Sequence, residues 1–306
     1  IQLQIGKFKE PVGLERLQPG SNLSFIERGY PTQLVPSRDV GIQLHGSLLN
    51  KSLDYAFGLF NGVADGGTAD IDTADSDKDF AARIFAHPFR NTDIEALKSL
   101  GLGVAGTIGN RSGALRSYST PGQQRFFSYR SGAGTVASPD VVADGRNWRI
   151  SPQGYYYWGP FGLFGEYVIS SQEVSRTAGA AQSSARLENT AWQVVASYFL
   201  TGEKNSYKSI TPNNPFNPGE GGIGAWELVA RVGQLSIDDD AFPLYATSSS
   251  ARKATSYGLG VNWHLNKNIK LSLNYDYTDF DGGSSAPGSV TAENEQALFS
   301  RVQFSF

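Results

Sequence analysis

Six arginines crowd one stretch of this 306-residue chain: Arg111, Arg116, Arg125, Arg130, Arg146 and Arg149, opposed within 110–149 only by Asp140 and Asp144. The stretch carries +4, so the remainder carries −7 of a total of −3. Guanidinium groups grip phosphate and carboxylate oxygens in pairs and concentrate anions around them. That is binding chemistry, not bond-breaking chemistry. His45, His87 and His264 lie on separate segments, with no nucleophile elbow, metal-ligand spacing or Gly-Lys phosphate loop, and the chain has no Cys. No enzyme activity and no cofactor is expected. The acidic run Asp65, Asp70, Asp72, Asp75, Asp77 and Asp79 has carboxylates suited to Ca²⁺, yet lacks the Gly and terminal Glu of a known calcium loop, which favours a solvated loop. A slightly negative chain gives no reason to expect nucleic acid.

These side chains must be positioned by strands, because the dominant period is two. Val40, Ile42 and Leu44 alternate with Gly41, Gln43 and His45; Tyr257, Leu259, Val261 and Trp263 alternate with Gly258, Asn262 and His264. The helical period surfaces only weakly, at 22–28 and 91–98. About twelve strands are predicted: 1–10, 39–49, 52–61, 78–89, 98–109, 146–158, 161–175, 186–201, 224–237, 252–266, 269–280 and 295–306. Most are about twice the usual length for soluble proteins and long enough to cross a bilayer tilted. Tight turns at Asn50-Lys51, Gly159-Pro160 and Asn266-Lys267-Asn268 alternate with long loops at 11–38, 62–77, 110–145, 177–185, 238–251 and 281–294. Short turns at one end and long loops at the other is the layout of a transmembrane antiparallel β-barrel. The six arginines then occupy one long outward loop and its strand root. Connections 90–97 and 202–223 break the short-turn rule. The aromatics Tyr155, Tyr156, Tyr157, Trp158 and Trp263 stand at turns, as interfacial girdles do. A soluble sandwich also alternates, but with shorter strands and less aromatic outer faces. Hydrophobic residues at 40% with charged residues at 18% exclude a disordered chain, and no run nears the roughly 18 apolar residues of a membrane helix.

Several further stretches stand out along the chain by their order and spacing. They are Gly6-Lys7-Phe8-Lys9-Glu10-Pro11 with Gly13-Leu14-Glu15, Phe25-Ile26-Glu27-Arg28, Pro36-Ser37-Arg38-Asp39-Val40-Gly41, Pro121-Gly122-Gln123-Gln124, Ser151-Pro152-Gln153-Gly154 through Gly162-Leu163, Leu200-Thr201-Gly202-Glu203, Gly224-Ala225-Trp226-Glu227-Leu228, and Asn262-Trp263-His264-Leu265-Asn266 with the strand ending at Phe306. Their order spans nearly the whole chain and resembles one known family, the phosphate-selective porin O and P type of Gram-negative outer membranes. The resemblance implies a sixteen-stranded barrel assembled as a homotrimer, in which the twelve strands here would be the fifth to sixteenth. It also implies that 11–38 folds inward and narrows the pore, and that arginines lead anions to a lysine cluster.

On that footing 1–306 is one barrel domain, incomplete at its N-terminal side, and a porin passing small hydrophilic solutes with anions such as phosphate or polyphosphate favoured. The alternatives are a general, weakly selective porin, whose arginines touch lipopolysaccharide or a neighbouring subunit, and a non-conducting structural or adhesin barrel. Constriction and lumen candidates are Lys7, Lys9, Glu15, Glu27, Arg28, Arg38, Arg83, Glu227, Arg231 and Arg301. Alternation sends Arg83, Arg149, Arg231, Lys270 and Arg301 inward, with Asp54, Asp79, Glu166, Glu227 and Asp276. Glu227 and Arg231, four apart on one face, are expected to pair. Lys7 and Lys9 share the phase of Ile1, Leu3 and Ile5, so a bulge near Gly6 is expected to spare them a lipid-facing position costing roughly 2–4 kcal/mol.

Overall fold

Period-two alternation becomes one large antiparallel sheet in the computed structural model, which describes residues 1–68, 77–282 and 293–305. In chain order the elements are β1 (Gln2–Lys9), α1 (Leu14–Leu17), α2 (Pro31–Leu34), β2 (Arg38–Leu48), β3 (Leu53–Phe60), β4 (Asp79–Ala86), β5 (Gly101–Ala114), β6 (Tyr118–Ser119), β7 (Arg125–Phe127), β8 (Asp140–Trp158), β9 (Phe161–Ala178), β10 (Ala181–Phe199), β11 (Ala225–Ser236), β12 (Lys253–His264), β13 (Ile269–Asp281) and β14 (Glu295–Phe304). Twelve of these strands form the sheet in the order β1-β2-β3-β4-β5-β8-β9-β10-β11-β12-β13-β14, and β6 pairs β7 separately. Every pairing joins sequence neighbours in the sheet, as hairpin connections require. Among the described residues, β1 and β14 do not pair with each other, so the sheet is not closed.

The two faces differ as the alternation demands. Ile5, Ile42, Leu59, Phe80 and Ile108 are register partners from strand to strand and all are exposed, a row of apolar side chains on the outer face. The opposite face is polar and buried, and Glu166, Gln193, Glu227, Arg231, Asn262 and Asn274 belong to it. What buries it is chain: residues 10–37 leave β1, cross this concave face and return to β2. Neither 22–28 nor 91–98 is an α-helix; among the described residues the short helical turns are α1, α2 and single 3₁₀ turns at Gly20–Asn22, Glu95–Leu97 and Asp239–Ala241.

The loop between β5 and β8 also folds inward, contrary to the outward loop expected. Tyr118, Phe126, Phe127 and Tyr129 are buried with Tyr30 and Leu34 of the inner segment, an apolar plug at the long-loop end. The expected long loop 177–185 is a tight turn instead. β9 and β10 run on to Ala178 and Ala181, with Ala178 opposite Ala181. Nor does the bulge expected near Gly6 exist. Pairing with β2 is unbroken from Gln2↔His45 to Lys9↔Arg38, and Gly6 only takes a φ of 130°.

Candidate functional site

The inner segment is held by a row of polar pegs from the wall. Glu166 of β9 accepts from the backbone N–H groups of Leu14 (2.5 Å) and Glu15 (3.3 Å), where α1 begins with unmatched donors. Gln193 of β10 donates to both Glu15 and Glu166, each at 3.0 Å, and Glu15 accepts from the Gly29 N–H at 2.8 Å. Gly29 has to be glycine: an added Cβ would lie 1.8 Å from Gln193 Oε1. Farther round, Asn262 donates to Ser24 O (2.8 Å), Asn274 accepts from Ile26 N (2.7 Å), and Lys270 donates to Leu23 O (2.8 Å). Buried backbone groups must be matched, and at Leu23, Ser24 and Ile26 the wall matches them.

This duty claims several of the charges expected in the lumen. Arg231 donates to Glu27 O (2.7 Å), pairs with Asp276 (3.0 Å) and stacks over Phe25 at 4.2 Å. The expected Glu227–Arg231 pair does not form. Glu227 instead accepts from Asn262 (2.9 Å) and lies 3.3 Å from His264. The reason is reach: Arg231 faces Gly258, Gly258 faces Asp276, and the missing side chain lets the guanidinium span β12. Arg301 donates weakly to Ile26 O at 3.4 Å, while its Nε and Nη2 have no hydrogen-bond partner among the described residues. Arg83 donates to Gln153 at 3.3 Å and stacks over Phe85. Glu27 accepts from Gln123 at 3.1 Å; burial pushes its carboxyl up, against the pull of Arg301, Arg231 and Arg28.

The six arginines of 110–149 are not one array. Arg149 is fully buried and locked: it pairs with Asp65 at 2.7 Å and Asp79 at 3.6 Å, and donates to Thr107 and Val63 O. Arg130 donates to Pro243 O at 2.9 Å. Arg116, Arg125 and Arg146 are exposed and Arg111 is half-buried. The acidic run is divided in the same way, since Asp65 and Asp79 serve Arg149 while Asp70, Asp72 and Asp75 lie outside the described residues. Among the described residues no group of three or more His, Asp or Glu is placed to hold a metal.

A second set of cations does converge. Lys9 Nζ and Arg28 Nη2 both donate to Gln18 O at 2.8 Å, and Arg28 also donates to Glu15 O. Arg16 and Arg38 stand close enough to Lys9 to repel its charge. Arg16 donates to Thr32 O, its Nε lacks a partner among the described residues, and burial with the Arg28 charge pulls its pKa down to about 10. Among the described residues none of Lys9, Arg16, Arg28 and Arg38 has a carboxylate in ion-pair contact. Lys7, exposed, joins Lys9 and Arg38 in lining a cavity of about 680 Å³. Arg16 had no signal in the sequence that set it apart; only the fold brings it beside Arg28.

Glu10 marks where β1 turns inward. It is fully buried, and among the described residues neither carboxylate oxygen has a hydrogen-bond partner. Burial pushes its carboxyl up to about 8, opposed by Arg149 and aided by Asp79 and Asp39. The folded protein therefore holds a proton there that the unfolded chain loses near 4.5. Stability from this group is full below that value and falls as pH climbs toward about 8. Urea unfolding in lipid vesicles at pH 5, 7 and 9 should show this decline in the native chain and a smaller one in Glu10→Gln. Equal pH dependence in both would refute the assignment.

Comparison with known proteins matches the chain over nearly its whole length. The family described as phosphate-selective porin O and P matches residues 1–306. Porin O of Pseudomonas aeruginosa is 26% identical, over 95% of this chain and 69% of that protein. The crystal structure of the outer membrane channel DcaP of Acinetobacter baumannii superposes with a TM-score of 0.58, covering 99% of this chain and 71% of the other. At 12% identity that likeness is one of fold.

Proposed function

The chain belongs to the phosphate-selective porin O and P family, and from that premise we propose that it conducts small hydrophilic solutes passively across a Gram-negative outer membrane, with anions such as phosphate preferred. It is a porin and not an enzyme. The observation that carries the anion preference is the convergence of Lys9 and Arg28 on the Gln18 carbonyl, with Arg16 and Arg38 close to Lys9, and with Lys9 and Arg38 lining a cavity. Among the described residues none of these four cations is in ion-pair contact with a carboxylate. Pore charge of one sign at a narrow, low-dielectric passage selects the opposite ion. The exposed Arg116 and Arg125 of the inturned loop extend the positive field toward the long-loop end. An open sheet edge in lipid leaves backbone donors and acceptors unmatched. The working protein therefore closes β1 and β14 through further strands, as a member of a homotrimer whose outer loops meet lipopolysaccharide.

A general, weakly selective porin is the second reading. It is favoured by the loss of Arg149, Arg130 and Arg231 to ion pairs and hydrogen bonds that hold the fold. Chloride current in planar bilayers separates the two. A binding cluster gives a reversal potential of anion sign in a salt gradient and a current that saturates with added phosphate. A plain sieve gives neither.

A further inference from the structure

The two connections that break the short-turn rule meet at one place inside the sheet. Residues 87–100 bring Arg90 and Lys98, and residues 200–224 bring Tyr207 and Lys208, to a single cavity of about 450 Å³ at the short-turn end. That volume is in the range of small-molecule sites. Its wall is aromatic. Tyr155 and Tyr157 point into it instead of joining an outer girdle. Tyr155 packs on Phe85 at 5.1 Å, stacks on Tyr207 at 5.0 Å and 18°, and meets Tyr157 at 5.3 Å. Tyr207 is pinned by its hydroxyl, which donates to Leu14 O at 2.5 Å, so the wall is set in advance by the inner segment.

The polar groups around this wall suit an anion. Among the described residues, the hydroxyls of Tyr155 and Tyr157 have no hydrogen-bond partner, and Lys208 has no ion pair. Arg83 lies over Phe85 at 4.4 Å and Arg90 donates to Lys51 O at 3.2 Å, leaving most of their N–H groups available. The acid of the lining, Asp54, accepts from Ser47 and lies 3.4 Å from the His87 ring, and Lys98 is paired with Glu95. This cavity shares Asp54 and Arg83 with the one bordered by Lys9 and Arg38, so the two lie along one route.

We propose that this cavity is a second binding site of the pore, for small organic anions that carry a flat ring. The proposal rests on the reading of the chain as a conducting porin. A ring stacks on Tyr155 and Tyr157 while its carboxylate takes Lys208 or Arg83; inorganic phosphate gains nothing from the wall.

The test titrates the chloride current of the full-length protein in planar bilayers with benzoate, acetate and phosphate. Benzoate should half-block at roughly a tenth of the acetate concentration, the scale of one good aromatic contact. Tyr155→Ala should abolish that ratio and Tyr155→Phe should keep it. Lys208→Gln, at an exposed position tolerant of change, should weaken both carboxylates several-fold and leave phosphate saturation intact. Equal half-block by benzoate and acetate overturns the second site while chloride current and phosphate saturation stand. A ratio that survives Tyr155→Ala overturns it too, and absence of any chloride current overturns both this site and the porin reading beneath it.

Discussion

Lys9→Gln combined with Arg28→Gln is expected to lower the anion-to-cation permeability ratio by about tenfold in dilute salt. Two unit charges 4 Å from an ion are each worth about 1 kcal/mol in bulk water and about 4 kcal/mol near protein, and 1.4 kcal/mol is tenfold. Lys9 and Arg28 share one acceptor, Gln18 O, so both heads sit at the same point of the passage. The effect should shrink in molar salt, where the Debye length falls to about 3 Å. Arg28 also braces Glu15 O, so its loss removes a tie on the inner segment as well as a charge. Arg28→Lys, which keeps the charge and loses the fork, separates these contributions: selectivity should survive it. Arg116→Gln with Arg125→Gln, at exposed positions farther out, should change the ratio by less. An unchanged ratio in the Lys9, Arg28 variant would return the pore to a plain sieve.

The strands were legible because lipid on one side and water on the other force a strict alternation, and a terminal strand such as Leu298, Val302, Phe304 shows it plainly. Legibility failed where that cause stops. β8, β9 and β10 run past the apolar band on residues such as Val142, Thr177, Ser183 and Ser184, where neither face meets lipid and the pattern carries no contrast. The faces of inward charges were legible, but their partners were not. Arg231 is two strands from Asp276 and 45 residues away, and only Gly258 between them makes the contact possible. Arg149 and Asp65 stand 84 residues apart, joined by a loop that turns inside. Tyr155 and Tyr157 read as part of an outer girdle because a run of four aromatics hides its own alternation. The inner segment was legible only through family resemblance, since its pegs are ordinary Glu, Gln, Asn and Lys side chains.

Arg149→Met should be the most damaging single change to the fold, costing about 3–5 kcal/mol, the penalty for breaking a buried ion pair by removing one partner. The guanidinium is fully buried and centres a network: Asp65 at 2.7 Å, Asp79 at 3.6 Å, Thr107 at 3.2 Å and Val63 O at 2.8 Å. Ser170, its register partner on β9, completes the site by donating to Asp65 at 2.8 Å. Without the cation, Asp65 and Asp79 are left with Glu10 and Asp39 close by, acids facing acids in a buried place. Methionine fills much of the volume, so the loss is one of charge and hydrogen bonds more than of packing. The measurable result is a large drop in the urea midpoint of the refolded protein. Asp65→Asn with Asp79→Asn in the Arg149→Met background should recover part of it, because the stranded charges are then gone. Acid should narrow the deficit too, since stranded carboxylates can take up protons there. A midpoint within experimental error of the native chain would mean that Arg149 is not what holds Val63 and Asp65 to the wall, and would make it available again to the ion path.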